Sequence, residues 1–366
     1  MATTSLLTTR WGPILTGAAI GVCAPLLVKL GNPGNMGVCV ACFSRDIAGA
    51  LGLHRAAPVQ YLRPEISGLV LGALLAALLH REFRPRTGSA PLVRFVLGIC
   101  AVAGALMFLG CPWRAYLRLA GGDGNAMAGI GGLAAGIALG VLFLRRGFSL
   151  GRTRPAPVAV GWIIPALMLG LLALLLWAPQ VGRTPEGTPT GPVFFSTQGP
   201  GSQHAPILVA FVLALGMGYL AQRSRFCTVG AIRDLILMRD AHLFNGVLAV
   251  IGAALVTNVA LGLFKPGFTA QPIAHTNTLW NFLGMTLSGL AFTLAGGCPG
   301  RQLFLAGEGD ADAGMFALGV LVGAGIVHTF NAASSAAGPG PTGPAFVIAG
   351  LVVSVMIGLT MRDPQR

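Results

Sequence analysis

The sequence predicts an all-α polytopic membrane protein, and three features support this prediction. Of the 366 residues, 54% are hydrophobic and only 10% are charged, whereas a soluble globular domain carries about 25% charged residues. Several apolar runs approach the roughly 20 residues that a helix needs to cross a bilayer. Glycine reaches 54 residues without a Gly-X-Y period, which favours closely packed and interrupted helices. We therefore expect a single transmembrane domain over residues 1–366 and exclude an ordinary soluble enzyme.

Ten apolar runs are long enough to form membrane-spanning helices. They lie at about 12–30, 65–80, 92–110, 125–144, 158–178, 206–222, 242–263, 276–297, 312–332 and 344–361. The segment before the first run has one Arg and no small-residue cleavage site after a short apolar core. We therefore expect the first run to remain as a membrane helix rather than to act as a removable signal peptide.

The charge of the chain indicates its orientation rather than a nucleic-acid partner. The net charge of +13 arises because 24 basic residues face only 11 acidic ones, and no DNA or RNA partner is expected. If the N-terminus is cytoplasmic, about two thirds of the basic residues fall on the cytoplasmic side. The positive-inside rule then predicts that both termini are cytoplasmic. The polar stretch 179–205 falls outside and is predicted to be a loop between two halves.

An internal repeat is the strongest pattern in the chain. Cys39, followed by Arg45-Asp46, matches Cys227, followed by Arg233-Asp234, with the same spacing. The pair Cys111-Pro112 and a later Asp123 match Cys298-Pro299 and a later Asp310. Each half contains four spanning runs, and the run 158–178 between them inverts the second half. We predict an inverted repeat, an architecture common in transporters, with repeat one at 10–150, a linking helix and external loop at 151–205, and repeat two at 206–366.

The four cysteine blocks are too short to cross the membrane and are predicted to be re-entrant half-helices. Proline suits the first position of a helix, so Cys111 and Cys298 are expected at N-caps, and Cys39 and Cys227 open their segments in the same way. A helix N-terminus offers free N–H groups and the positive end of the helix dipole, which attract an anion. We therefore predict that these four thiols line a substrate pathway.

Other polar residues near these blocks have simpler expected roles. Charges within a membrane need partners, so the neighbouring Arg and Asp residues are expected to cap the half-helices and to neutralise one another: Arg45, Asp46, Arg114, Asp123, Arg233, Asp234, Arg301 and Asp310. Cys42 has no counterpart, because Gly230 stands at its position, and is a candidate accessory ligand. Cys23 and Cys100 are expected to be packing residues. The sequence predicts neither a metal site nor a cofactor.

At these positions the sequence resembles the YeeE/YedE family of sulfur-transport membrane proteins. The resemblance rests on the segment from Gly31 to Asp46, on Arg225-Phe226-Cys227 and on the segment from Gly297 to Arg301, which are most similar to the YedE branch associated with selenium metabolism. The resemblance implies a bacterial inner-membrane protein with an hourglass shape. It also implies that Cys39, Cys111, Cys227 and Cys298 donate S–H hydrogen bonds to a passing anion, as cysteines do in the thiosulfate-importing YeeE branch.

The leading hypothesis is a permease for a small sulfur- or selenium-containing anion, such as thiosulfate or a selenium oxyanion, and not an enzyme. Because of the extra Cys42 and the similarity to the selenium-linked branch, the sequence does not decide between thiosulfate and a selenium oxyanion as the substrate. An alternative is a membrane thiol-disulfide oxidoreductase that uses Cys39 and Cys42. A third reading is a subunit that delivers substrate to a small cytoplasmic sulfur-carrier protein of the TusA-like type. Membrane lipid is the expected surrounding in each case.

Overall fold

The computed structural model describes residues 6–178 and 193–362 and is built almost entirely of helices. The long helices are α1 (Gly12–Lys29), α3 (Pro64–Leu79), α4 (Pro91–Phe108), α6 (Asn125–Arg145), α7 (Val158–Trp177), α8 (Ile207–Arg223), α10 (His242–Ala260), α11 (Thr278–Leu294), α13 (Ala311–Thr329) and α14 (Gly343–Thr360). Each forms all or part of one of ten segments long and apolar enough to cross a membrane. The predicted class, a multi-pass all-α membrane protein with about ten spanning helices, is confirmed, and the predicted runs agree with these helices to within a few residues.

Four short helices alternate with the long ones. They are α2 (Val40–Ala50), α5 (Pro112–Ala120), α9 (Thr228–Met238) and α12 (Pro299–Gly307). The longest of them has 11 residues, or about 16 Å at 1.5 Å per residue, which is too short for a hydrocarbon core of about 30 Å. The strand pairing that the structure describes is minor: β1 (Arg86–Thr87) pairs antiparallel with β2 (Arg154–Pro155).

The long helices pack in pairs that combine the two halves of the chain. Helix α1 packs along α10 and α3 along α8, while α4 packs along α13 and α6 along α11. In the predicted repeat, α1 to α6 correspond in order to α8 to α13. The pair α1–α10 therefore corresponds to the pair α8–α3, and the pair α4–α13 corresponds to the pair α11–α6. Helices α7 and α14 pack differently, α7 against α3 and α14 against α4 and α11. The repeat and its inversion stay predictions.

Glycine allows these helix pairs to approach closely. A Cβ atom at Gly72 of α3 would lie 2.0 Å from the carbonyl oxygen of Leu215 in α8, and a Cβ atom at Gly136 of α6 would lie 2.0 Å from that of Thr286 in α11. No side chain larger than hydrogen fits at such distances, so the backbones touch directly. The high glycine content therefore serves helix packing as well as the turns beside the short helices.

The predicted external loop is only partly described, since its residues 179–192 lie outside the described ranges. The rest of it is packed rather than free. Phe194 N donates to the carbonyl oxygen of Ala50 at 2.9 Å, and the Arg63 guanidinium donates to the carbonyl oxygens of Pro200 and Gln203 at 2.7 and 2.9 Å. This part of the loop is therefore fastened to α2 and to the start of α3.

Candidate functional site: two buried thiol pairs

Each short helix begins immediately after a cysteine. Cys39, Cys111, Cys227 and Cys298 are the N-cap residues of α2, α5, α9 and α12, all with extended backbone. Proline occupies the first helical position after Cys111 and Cys298, where its missing N–H costs nothing. In the other two helices the cysteine sulfur itself accepts from a first-turn N–H, from Cys42 N at 3.4 Å and from Gly230 N at 3.2 Å.

The two cysteines of the first half form one thiol pair. Cys39 Sγ lies 3.7 Å from Cys111 Sγ and accepts from Cys111 N at 3.5 Å. Both side chains are fully buried, and both thiols are free. The N-termini of α2 and α5 therefore meet at this pair, and their free N–H groups and dipoles make the spot electropositive.

The second half repeats this geometry. Cys298 N donates to Cys227 Sγ at 3.4 Å, as Cys111 N does to Cys39 Sγ, and Cys298 Sγ accepts from Arg301 N at 3.4 Å. Both thiols are buried and free. The N-termini of α9 and α12 meet at this second pair. The structure thus brings the four predicted cysteines together as two pairs, one from each half.

Trp113 lies between the two thiol pairs. It follows Cys111 by two residues, and its ring contacts those of Phe226 and Phe304 with centroid separations of 6.1 Å each. Phe226 directly precedes Cys227. A Cβ atom at Gly300, two residues after Cys298, would lie 3.0 Å from Trp113 Cζ2. Packed aromatic rings therefore separate one thiol pair from the other.

The charges near the first pair form a buried ion-pair cluster. Asp46 accepts from Arg45 at 2.7 Å through one carboxylate oxygen and from Arg63 at 2.8 Å through the other. All three side chains are buried. Arg45 and Asp46 were predicted to pair, whereas Arg63 was not expected as a partner, because the sequence places it in an outside segment.

Arg114 has an unusual environment, because its buried guanidinium is held by backbone carbonyls. It donates to the carbonyl oxygens of Asn35, Leu109, Pro272 and Ile273, and its Nη1 lies 3.8 Å from Cys42 Sγ. Among the ion pairs of residues 6–178 and 193–362, none includes Arg114. Its positive charge beside Cys42 is therefore offset by carbonyl dipoles only.

Two of the four aspartates pair with arginines outside the predicted set. Asp123 pairs with Arg118 at 2.6 Å rather than with Arg114, because the carbonyls occupy Arg114. Asp310 caps α13 and pairs with Arg86 of the first half at 2.7 Å rather than with Arg301. The carboxylate nearest to Arg301 belongs to Glu308, at 3.6 Å. The expected pair Arg233–Asp234 does form, at 2.8 Å, and is partly exposed.

The remaining cysteines occupy different surroundings. Cys42 is buried, and its Sγ donates to the carbonyl oxygen of Leu109 at 3.6 Å, so it adjoins the first thiol pair. Cys100 is buried in α4 and Cys23 is half-buried in α1, and both lie among apolar neighbours of the helix core. Among the residues that the structure describes, no group of three His, Cys, Asp or Glu side chains is arranged to hold a metal ion.

Sequence reasoning missed Trp113 and Tyr116 as residues of this region. Both lie on α5 after Cys111, three residues apart, which places them on one face of the helix. Their positions shortly after an N-cap cysteine could have indicated a role at the site. Aromatic residues in a short helix, however, look the same in sequence as ordinary core residues.

The fold and the site together define a multi-pass α-helical membrane protein in which four short helices begin at two buried thiol pairs. Residues 223–359 match the model of the family described as Sulphur transport. The predicted resemblance to the YeeE/YedE sulfur-transport proteins is thereby confirmed.

Individual relatives support the same grouping. The chain is 34% identical over 112 residues to the thiosulfate transporter TsuA of Spirochaeta thermophila, an alignment that covers 31% of this chain and 32% of that protein. It is 30% identical over 103 residues to the thiosulfate transporter TsuA of Escherichia coli, covering 28% of this chain and 29% of that protein. It is 29% identical over 130 residues to the probable transporter YedE of Salmonella typhimurium, covering 34% and 31%. The aligned part of the chain thus covers about a third of the length of each relative, and all three are named as transporters rather than enzymes.

Proposed function

We propose that this protein is a permease that moves a small sulfur- or selenium-containing anion across a bacterial inner membrane. One observation carries the proposal: the N-termini of the four short helices meet two at a time, and each meeting point is a buried pair of cysteines. Two of the relatives are named as thiosulfate transporters, which supports a sulfur anion as the substrate. Thiosulfate and a selenium oxyanion both fit the chemistry of the site.

Neutral thiols beside helix N-termini suit conduction because they bind weakly. The helix dipoles and free N–H groups attract a negative charge, while an S–H group is a weak donor that holds a polarisable anion loosely. Conduction requires binding strong enough to admit the ion and weak enough to release it. A free guanidinium would hold the anion too tightly. The guanidiniums of Arg45, Arg114 and Arg118 are engaged by Asp46, by backbone carbonyls and by Asp123. The guanidinium of Arg301, beside the second pair, has the Glu308 carboxylate at 3.6 Å.

The orientation follows from the positive-inside rule. With both termini in the cytoplasm, α2 and α5 enter from outside and α9 and α12 from inside. The substrate then meets Cys39 and Cys111 first, with Cys42 beside them, and Cys227 and Cys298 second. Membrane lipid surrounds the long helices, and a small cytoplasmic sulfur-carrier protein of the TusA-like type is the proposed acceptor on the inner side.

Uptake of labelled thiosulfate tests the proposal. In cells that lack their own thiosulfate importers, expression of the chain should confer uptake, and Cys→Ala at position 39, 111, 227 or 298 should lower it about tenfold, the size expected for a lost hydrogen bond to a charged group. Cys23→Ala and Cys100→Ala are matched controls that should leave uptake unchanged. Unchanged uptake in all four pathway variants would overturn the proposal. A decrease in thiosulfate uptake on adding unlabelled selenite would show that the protein also accepts a selenium oxyanion.

The alternative function as a thiol-disulfide oxidoreductase has less support. Exchange with a partner needs an accessible thiol, whereas Cys39 and Cys42 are both fully buried. Trapping a mixed disulfide with a partner protein, lost in Cys42→Ser, would favour this alternative over transport.

A further inference from the structure

Two buried hydrogen-bond donors lie between the thiol pairs. Trp113 and Tyr116 are 1% and 3% exposed, and neither Trp113 Nε1 nor Tyr116 Oη makes a hydrogen bond within the part of the chain that the structure describes. Leaving such a group unpaired in the interior costs about 1–3 kcal/mol. Native proteins seldom keep an orphaned buried polar group without a reason, and two of them on one short helix call for a common ligand.

Both donors lie beside the second thiol pair. The Trp113 indole packs against Phe226 and against Gly300 of α12, which adjoin Cys227 and Cys298 in the chain. Tyr116 lies three residues after Trp113 on α5, on the same face of that helix. Two donors with unused hydrogen-bonding capacity within the described residues therefore lie near Cys227 and Cys298.

The first thiol pair is built differently. The positions equivalent to Trp113 and Tyr116 in the predicted repeat are Gly300 and Leu303, which carry no donor in their side chains. The arginine near the first pair, Arg114, has its guanidinium occupied by backbone carbonyls. The two pairs thus share backbone geometry but differ in the hydrogen bonds that their surroundings can offer.

We propose that Trp113 and Tyr116 form, with Cys227 and Cys298, a two-ended site that selects an anion with an oxygen end and a sulfur or selenium end. This rests on the proposed function. The N–H and O–H groups donate to the oxygen atoms, which are hard acceptors, while the thiols contact the soft, polarisable end. Sulfate presents oxygen on every side and leaves the thiols without a soft partner, so the site discriminates against it. Trp113 and Tyr116 hold the oxygen end and so turn the soft end towards the thiols, which makes them specificity-determining residues.

Binding to the purified full chain in detergent tests the site without relying on transport. Titration calorimetry with thiosulfate should give a Kd about tenfold higher in Tyr116→Phe than in the unaltered protein, because one hydrogen bond to a charged ligand is lost. Trp113→Phe, which removes the indole N–H, should also weaken binding. Tyr61→Phe is the matched control: the Tyr61 hydroxyl is also buried without a hydrogen-bond partner among residues 6–178 and 193–362, but its ring stacks on His204 rather than lying on α5. Its Kd should not change.

Selectivity and folding complete the test. Equal unfolding temperatures for Tyr116→Phe and Tyr61→Phe exclude a folding defect as the cause of weaker binding. The excess of sulfate needed to displace thiosulfate should fall in Tyr116→Phe and in Trp113→Phe, because the anion is no longer oriented, and should stay unchanged in Tyr61→Phe. If both α5 variants bind thiosulfate as tightly as the unaltered protein, the two-ended site is wrong, while cysteine-dependent uptake would leave the proposed function standing. If the unaltered protein neither binds nor takes up thiosulfate or selenite, both proposals are wrong.

Discussion

Asp46 is the residue on which the buried charge cluster beside the first thiol pair depends. Its two carboxylate oxygens serve Arg45 and Arg63, and all three side chains are buried. Removing one member of a buried ion pair costs about 3–5 kcal/mol, because the other charge stays desolvated without compensation. We therefore expect Asp46→Asn to lower the free energy of unfolding by about that amount, measured by denaturant unfolding in detergent.

The repeat offers a matched control for this substitution. Asp234, the predicted counterpart of Asp46, pairs with the single guanidinium of Arg233, and the two side chains are 13% and 28% exposed. Partly exposed pairs contribute about 0–1 kcal/mol, so Asp234→Asn should be nearly neutral. Equal losses in the two variants would mean that burial of the cluster is not what makes Asp46 important.

Single residues also show where sequence reasoning reaches its limit. The four N-cap cysteines were predictable because Cys-Pro and the repeated spacing are local signals. The partners of the charges were predictable only between chain neighbours, as for Arg45 with Asp46. The pairs Arg86–Asp310 and Arg63–Asp46 join residues that only the folded chain brings together, and no pattern in a single sequence identifies them.

Helix α8 allows the close-packing argument to be tested within one element. A Cβ atom at Gly218 would lie 2.2 Å from the carbonyl oxygen of Leu69 in α3, whereas a Cβ atom at Gly216 would meet no atom of the described part of the chain within 4 Å. Gly218→Ala must push α3 and α8 apart, and overpacking of this kind costs about 1–3 kcal/mol. Gly216→Ala should be neutral or stabilising, because alanine is the better helix former by about 1 kcal/mol.

Thermal unfolding of the two variants in the same detergent provides the measurement. Gly218→Ala should melt at a lower temperature than the unaltered protein, and Gly216→Ala should not. If Gly218→Ala melts normally, the contact between α3 and α8 is looser than the structure indicates. The helix boundaries were predictable because an apolar run of bilayer length crosses the membrane as an α-helix. Which helices become neighbours depends on which glycines face each other, and the spacing of apolar residues in the sequence does not reveal those contacts.

At the scale of the whole molecule, an ion-pair network joins the two halves on the predicted cytoplasmic side. Glu82, between α3 and α4, accepts from Arg223 and Arg225 at 2.9 Å each, and Arg225 continues to Glu308 at 2.7 Å. Burial alone raises the pKa of the Glu82 carboxyl, but hydrogen bonds from Gln222 and Arg223 and the charge of Arg225 outweigh it, so the pKa lies below its usual value.

This shift fixes the sign of a pH effect. A carboxyl whose pKa is lowered by folding contributes stability that is fully present above its unfolded pKa and is lost as the pH falls through the lowered folded value. The melting temperature should therefore fall on acidification below the usual glutamate range, and Glu82→Gln should have a lower melting temperature at neutral pH and a weaker acid dependence. An identical acid dependence in Glu82→Gln would assign the effect to other carboxylates. Because the Glu82 side chain is 27% exposed, the difference should be small.

The orientation of the whole chain decides which thiol pair an incoming anion meets first, and labelling of introduced cysteines tests it. Arg152 and Lys265 are both exposed, Arg152 between α6 and α7 and Lys265 between α10 and α11, and the positive-inside rule predicts opposite sides for them. In a Cys23→Ser background, where the remaining native thiols are buried, Lys265→Cys should react with a membrane-impermeant maleimide from outside, and Arg152→Cys only after the membrane is opened. The reverse labelling pattern would show that the protein has the opposite orientation in the membrane. It would then place the two-ended site of Trp113, Tyr116 and the second thiol pair at the outer entrance, so that selection would precede passage through the first pair rather than follow it.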